Sequence, residues 1–185
     1  MRVGIVGAGF MGTTHAAGWA ETDAEIVGFA AETATEAEPL ALAYGARVFP
    51  ELQALIDAVD VVDVCTPTHL HHPIVLQAAA AGKHIICEKP LARHVSEAQE
   101  MVRACREAGV QLLVAHVVRF FPEYALAQAQ VAGGAIGRPG VLRLMRGSYR
   151  PKKPVGNWFL DEAKSGGILM DLMIHDFDYA RWIAG

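Results

Sequence analysis

The chain has 185 residues, a formal net charge of -4 and a hydrophobic fraction of 52%, which is enough to bury a sizeable core and too apolar for a disordered tail. A pI near 6.0 offers no basic field to nucleic acid or an anionic membrane, so neither is an expected partner. Three widely spaced cysteines without a Cys-x-x-Cys pair, an apolar strand starting at Arg2 and no run of ~18 apolar residues point to reduced thiols in a soluble cytoplasmic protein.

The predicted elements alternate from the start. Arg2 to Val6 reads as a buried strand, and Gly7-Ala8-Gly9-Phe10-Met11-Gly12 leads from it into a helix ending near Glu21. A strand at Glu25 to Ala30, a helix at about Thr35 to Tyr44 and a short strand at Arg47 to Phe49 follow. The rhythm continues with a helix over Glu51 to Ala58, a strand over Val61 to Cys65, and a helix over Pro73 to Ala81. Then come a strand at His84 to Cys87, a helix at Ser96 to Ala108 and a strand at Gln111 to His116. Such alternation predicts a doubly wound parallel sheet covered on both faces, an α/β domain over residues 1–118.

Beyond Arg119 the rhythm changes. A helix at Pro122 to Ala132, a Gly/Pro turn, a strand at Val141 to Tyr149, a Pro/Lys loop and a final helix predict the start of an α+β second domain over residues 119–185. In that final helix Asp171 and His175 stand four residues apart, a spacing that puts an acid and a base on one helix face. Proton transfer needs such a pair, and an ordinary core helix has little use for it.

The glycine turn follows a strand and opens a helix, the context in which Gly-x-Gly-x-x-Gly holds a dinucleotide. Gly7 allows the tight turn, Gly9 lets pyrophosphate approach the backbone, and Gly12 lets helix and strand pack closely. A purely structural turn, S-adenosylmethionine or a flavin are the rival readings. Glu32, at the end of the second strand, could accept from a ribose 2′-hydroxyl and would repel a 2′-phosphate, which favours NAD; a solvated glutamate is the alternative. After the fifth strand, Cys87-Glu88-Lys89-Pro90 sets a lysine at the carboxyl edge of the sheet, where ligands of open α/β sheets bind and a lysine can assist deprotonation; by itself a strand-end lysine is more often a solvated surface group.

Taken in order, the glycine turn, Thr66-Pro67-Thr68-His69-Leu70-His71, Glu88-Lys89-Pro90, and Gly166-Gly167 followed by Asp171 and His175 resemble the Gfo/Idh/MocA oxidoreductase family. The resemblance implies an NAD(P)-binding Rossmann domain joined to an α/β domain that carries substrate and often forms the oligomer interface. Lys89, Asp171 and His175 match the residues that surround the reacting carbon. Gly7, Gly9, Phe10, Met11, Gly12, Glu32, Thr66, Pro67, His71, Glu88 and again Lys89 match the cofactor side, with His71 along the cofactor and Glu88 near the nicotinamide. The segment Val118 to Pro122 resembles the crossing between domains, where Arg119 binds a substrate oxygen or makes a domain-interface salt bridge. Trp158 walls the sugar face or is a buried aromatic.

Two departures stand out. The common triple glycine is Ser165-Gly166-Gly167, and Ala31 replaces an acidic residue, which leaves both NAD and NADP admissible. No metal is expected, because the turn and Pro73 direct His69, His71 and His72 apart.

The resulting expectation is hydride transfer between a nicotinamide cofactor and a secondary alcohol of a sugar or cyclitol. The rival expectation is a weak or inactive NAD(P)-binding or sensing protein, motivated by an early stop. One predicted strand cannot make a stable sheet face, so a homo-oligomer is expected only if the second domain is complete.

Overall fold

The structure is a computed structural model and describes residues 1–147 and 157–185. The chain divides into two compact units, Met1–Ala115 and His116–Gly185.

The first unit follows the expected alternation closely. Its elements are β1 (Arg2–Val6), α1 (Phe10–Ala20), β2 (Glu25–Ala30), α2 (Ala34–Ala43), β3 (Arg47–Val48), α3 (Leu52–Ala58), β4 (Val61–Val64), α4 (His71–Ala80), β5 (His84–Glu88), α5 (Val95–Glu107) and β6 (Leu112–Ala115). All neighbouring strands run parallel in the order β3-β2-β1-β4-β5-β6. The order reverses between β1 and β4, and the carboxyl ends of the strands beside that point form the crevice in which such sheets bind dinucleotides.

Strand side chains alternate between two cores. Val6, Val62, Val64, Ile85 and Cys87 pack with Leu55 and Ile56 of α3, Val75 and Ala78 of α4, and Met101 and Cys105 of α5. Val3, Ile5, Phe29 and Val61 pack on the other face with Ala16 of α1 and Ala37 and Ala41 of α2. The β-branched runs that read as buried strands are therefore covered on both faces, as a parallel sheet requires.

The second unit contains a 3₁₀ turn (Val117–Phe120), α6 (Pro122–Ala132), a 3₁₀ turn (Trp158–Leu160), α7 (Glu162–Ser165), α8 (Gly167–Asp171) and α9 (Ile174–Ala184). Pro122 starts α6 at a position where its missing N–H costs nothing. The strand expected over Val141 to Tyr149 is absent from residues 141–147, and its last two residues and most of the Pro/Lys loop lie outside the described residues. The physical reason is the lack of a partner: a strand's N–H and C=O groups need a neighbouring strand, and none is found among the unit's described residues. The α+β expectation for this unit is thus met only on its helical side.

No helix among the described residues is long and apolar enough to cross a membrane.

Candidate functional site

The glycine turn is sterically compulsory at two positions and open at the third. Gly7 has φ +106°, and a Cβ there would stand 2.6 Å from the Cys65 carbonyl oxygen. A Cβ on Gly12 would stand 1.9 Å from the Gly7 oxygen, so the first turn of α1 can lie against the β1 end only without a side chain. Gly9, the residue capping α1, would meet nothing within 4 Å. No acidic side chain occupies the first turn of α1. Its leading N–H groups have no partner inside the helix and favour an anion by position and by dipole. Phe10 is 82% exposed beside this opening, and Met11 is half-buried. Glu32 is exposed between the end of β2 and the start of α2.

Beyond β4, Thr66 and Pro67 are half-buried. The Thr66 hydroxyl is buried and has no hydrogen-bond partner among the described residues, a costly state for a polar group unless a ligand or water completes it. His71, expected along the cofactor, is 1% exposed. Its Nε2 lies 3.0 Å from the Thr66 carbonyl oxygen, and its Nδ1 lies 3.0 and 3.3 Å from those of Pro90 and Leu91. Burial lowers the pKa of this imidazole from its ordinary value. The ring therefore lies between the turn after β4 and the turn after β5 and faces backbone carbonyl oxygens of both.

Glu88 is likewise internal, at 6% exposure. One carboxylate oxygen accepts from the Lys89 N–H at 3.0 Å. Lys89 itself is half-buried at the carboxyl end of β5, and its peptide bond to Pro90 is cis.

A buried polar cluster beneath α1 went unforeseen. Asp63 sits in the middle of β4, fully buried, in register with Ile5 and Ile86. His15 Nδ1 lies 3.0 Å from both Asp63 oxygens, and His15 Nε2 lies 3.0 Å from Glu88 Oε1. Trp19 Nε1 donates to Asp63 at 2.7 Å, and the Cys65 thiol donates to it at 3.6 Å. Burial by itself lowers the His15 pKa, but hydrogen bonds to Asp63, Cys65 and Glu88 and the charge of Asp63 prevail and push it up to about 12. Burial raises the Cys65 thiol to about 12, which leaves it an inert, protonated group. Ligand atoms of His15, Asp63 and Cys65 lie within 4.8 Å of one another, but N–H and S–H donors already occupy both Asp63 oxygens. The sequence did carry a signal: a carboxylate inside the apolar run Val61 to Cys65 demands a partner, and His15 and Trp19 share one face of α1 at four-residue spacing.

In the second unit, Asp171 and His175 do not share one helix. Asp171 closes α8 and His175 is the second residue of α9. Between them the Met173 N–H reaches back five residues to Ile168 O at 3.4 Å, after which Met173 O accepts from Asp176 and Phe177 and starts α9 afresh. Both side chains are half-buried. Upstream, Gly166 and Gly167 both have positive φ, 79° and 76°, which explains the glycine pair. Ser165, in place of a third glycine, is buried; its hydroxyl donates to Asp161 O at 3.0 Å and accepts from Gly167 N–H at 3.1 Å.

Arg119 is engaged inside its own unit. Its guanidinium grips Asp178 of α9 through Nε at 2.7 Å and through a second nitrogen, and lies 5.6 Å from the Trp182 ring centroid. Asp178 is correspondingly held below the usual carboxylate range: burial opposes this, and the hydrogen bond and charge of Arg119, with His116 and Arg181, overcome it. A second pair was not foreseen: Arg146 binds Asp176 at 2.9 and 3.0 Å, and Asp176 is buried. Trp158 is half-buried with its ring edge to face against Phe159. The site residues inferred from sequence thus fall into two groups, the cofactor set with Lys89 in the first unit and Asp171, His175, Arg119 and Trp158 in the second.

Known proteins match both units. Residues 1–116 fit the oxidoreductase family with an NAD-binding Rossmann fold, and residues 124–185 fit the GFO/IDH/MocA C-terminal domain. The chain is 36% identical to a levoglucosan dehydrogenase of Pseudarthrobacter phenanthrenivorans, over all of this chain and 51% of that protein. It is 34% identical to a myo-inositol 2-dehydrogenase of Thermotoga maritima, over all of this chain and 55% of that protein. Among solved structures, levoglucosan dehydrogenase in complex with NADH and levoglucosan matches with a TM-score of 0.88 at 34% identity, covering 100% of this chain and 54% of that one. The chain spans about half the length of the curated relatives it matches. With a parallel Rossmann sheet, a glycine turn shaped for a dinucleotide and family matches across both units, the chain belongs to the Gfo/Idh/MocA oxidoreductases.

Proposed function

We propose that this protein is a dehydrogenase that moves a hydride between NAD and a secondary alcohol of a sugar or cyclitol. The observation that carries the reading is the opening at Gly9, together with a buried Thr66 hydroxyl that has no hydrogen-bond partner among the described residues. Both are costly or idle features of a bare fold and useful ones in a nucleotide site.

The residues present fit the cofactor. The leading N–H groups of α1 would hold pyrophosphate, Thr66 and Pro67 would flank the chain of the dinucleotide, and Glu32 would accept from the adenosine ribose. Glu32 favours NAD over NADP, since a carboxylate repels a 2′-phosphate. When bound, the nicotinamide supplies the hydride acceptor or donor.

The chain's own residues supply the rest. His175 takes the hydroxyl proton, Lys89 polarises the oxygen and eases that transfer, and Asp171 orients the imidazole or binds a neighbouring hydroxyl. Levoglucosan and myo-inositol, the substrates in the names of two relatives, are both rings of secondary alcohols, which supports this substrate class. Arg119 is held by Asp178, so its contribution is to fix the segment it sits in. Trp158 is proposed as a wall of the sugar face. Cytoplasmic residence and assembly as a homo-oligomer belong to the same reading, supported by three buried free thiols and by the apolar side chains that the second unit exposes.

The test is a screen of cyclitols, aldoses and anhydrosugars with each nicotinamide cofactor, reading absorbance of the reduced ring. The expected result is NAD-linked oxidation of at least one ring alcohol, with His175→Ala keeping NAD affinity and losing turnover by about a hundredfold or more. Unchanged turnover in that variant removes the proposed base, and tight NAD binding without turnover on any substrate would favour a sensing role.

A further inference from the structure

His15 lies on the helix that opens the glycine turn, yet both its nitrogens reach away from that turn toward two different strands. Its Nδ1 lies 3.0 Å from the Asp63 oxygens of β4 and its Nε2 lies 3.0 Å from Glu88 at the end of β5. Ionised carboxylates only accept hydrogen bonds, so facing one at each nitrogen requires an N–H at each. Trp19 and Cys65 already donate to the two Asp63 oxygens, and the Lys89 N–H donates to the remaining Glu88 oxygen. The donors around both carboxylates thus match a cationic ring between two anions.

The consequence reaches Lys89. Glu88 is held on one oxygen by His15 and holds the Lys89 backbone with the other. A dinucleotide laid across the β1 and β4 ends with its adenosine ribose at Glu32 turns its other half toward β4 and β5, where Glu88 and Lys89 stand. We propose that His15 is a positioning residue whose doubly protonated ring ties α1 to the Glu88–Lys89 turn and so fixes the nicotinamide end of the cofactor site. This rests on reading the first unit as an NAD site. The titratable groups that face the ring are Asp63 of β4, Cys65 just after it and Glu88 of β5.

Two measurements on the 185-residue chain test it. First, nitrogen-15 NMR of the histidines in the apo protein reads the ring directly: His15 is expected to show two N–H groups at pH 9, where an ordinary histidine is neutral. Second, calorimetric titration compares NADH with ADP-ribose, which has the same adenosine and pyrophosphate but no nicotinamide. His15→Gln is expected to weaken NADH by about tenfold, the size of one lost charge-assisted hydrogen bond, and ADP-ribose by less than about twofold. Glu88→Gln, which keeps the shape and removes the charge, is expected to show the same selectivity and serves if His15→Gln does not fold.

A bare ring nitrogen at pH 9 overturns the proposal, as does an equal loss for both ligands in both variants, the mark of a merely structural role. If the wild-type chain binds neither ligand, the NAD reading itself falls and takes the positioning role with it, whereas a failure of the inference alone leaves wild-type binding of both intact.

Discussion

The two units of this chain are built on different physics. In Met1–Ala115 each strand is wrapped by helices adjacent in sequence, and the two cores are almost wholly apolar. In His116–Gly185 only Val118 and Tyr179 are buried apolar side chains among the described residues. There, Arg119 with Asp178, Arg146 with Asp176 and a cluster of Tyr124, Tyr179 and Trp182 rings hold segments far apart in sequence. Ile136, Val141, Met145, Ile168 and Leu169 meanwhile lie exposed. Local apolar periodicity can specify the first arrangement, whereas the second depends on a few directional long-range pairs and is correspondingly fragile.

Four perturbations probe that contrast. The largest expected effect is Gly12→Ala, which forces a methyl group to within 1.9 Å of the Gly7 oxygen and should cost about 3 kcal/mol or more, seen as a large drop in the melting temperature of the first unit. Asp176→Asn should cost roughly 2–3 kcal/mol by stripping the charge that Arg146 faces. Hydrogen exchange should localise that loss to α6 and α9, with NADH affinity within about twofold of wild type because the proposed cofactor residues all lie in the first unit. Equal loss of protection across the sheet would contradict a local role for the Arg146–Asp176 pair.

The third perturbation is pH. The folded-state pKa of His15 is raised to about 12 from an ordinary 6.5, so its stabilising contribution is full below about pH 6.5 and declines until it is gone as pH rises through about 12. Denaturant unfolding between pH 7 and pH 10 should therefore show wild type losing stability faster than His15→Gln. Parallel curves would mean that the ring is not held as a cation. The smallest expected effect on stability is that of Thr66→Val, which replaces a buried hydroxyl lacking a described partner. Its melting temperature should stay level or rise slightly while NADH affinity falls by about fivefold, the value of one hydrogen bond.

The contrast also explains what could be read from the sequence. Strands such as Glu25–Ala30 and helices such as Leu52–Ala58 match their expected bounds to within a residue or two, because period and punctuation are local properties. The glycine turn was legible for the same reason: steric demands at Gly7 and Gly12 arise from neighbours a few residues away and from one crossing strand. The surroundings of His71 were not legible, because the Pro90 and Leu91 carbonyls become its neighbours only through the sheet. The break between Asp171 and His175 was hidden because Leu172 and Met173 carry no Gly or Pro to mark it. Arg119 illustrates the general difficulty, since nothing near it in sequence names Asp178 as its partner.

The most direct measurement is a calorimetric titration of NADH into the 185-residue chain and its Gly12→Ala variant. Saturable binding of one NADH per chain, lost in the variant, is the predicted result. Absence of saturable binding by the wild type, or equal binding by the variant, would contradict the assignment of the cofactor site to the glycine turn.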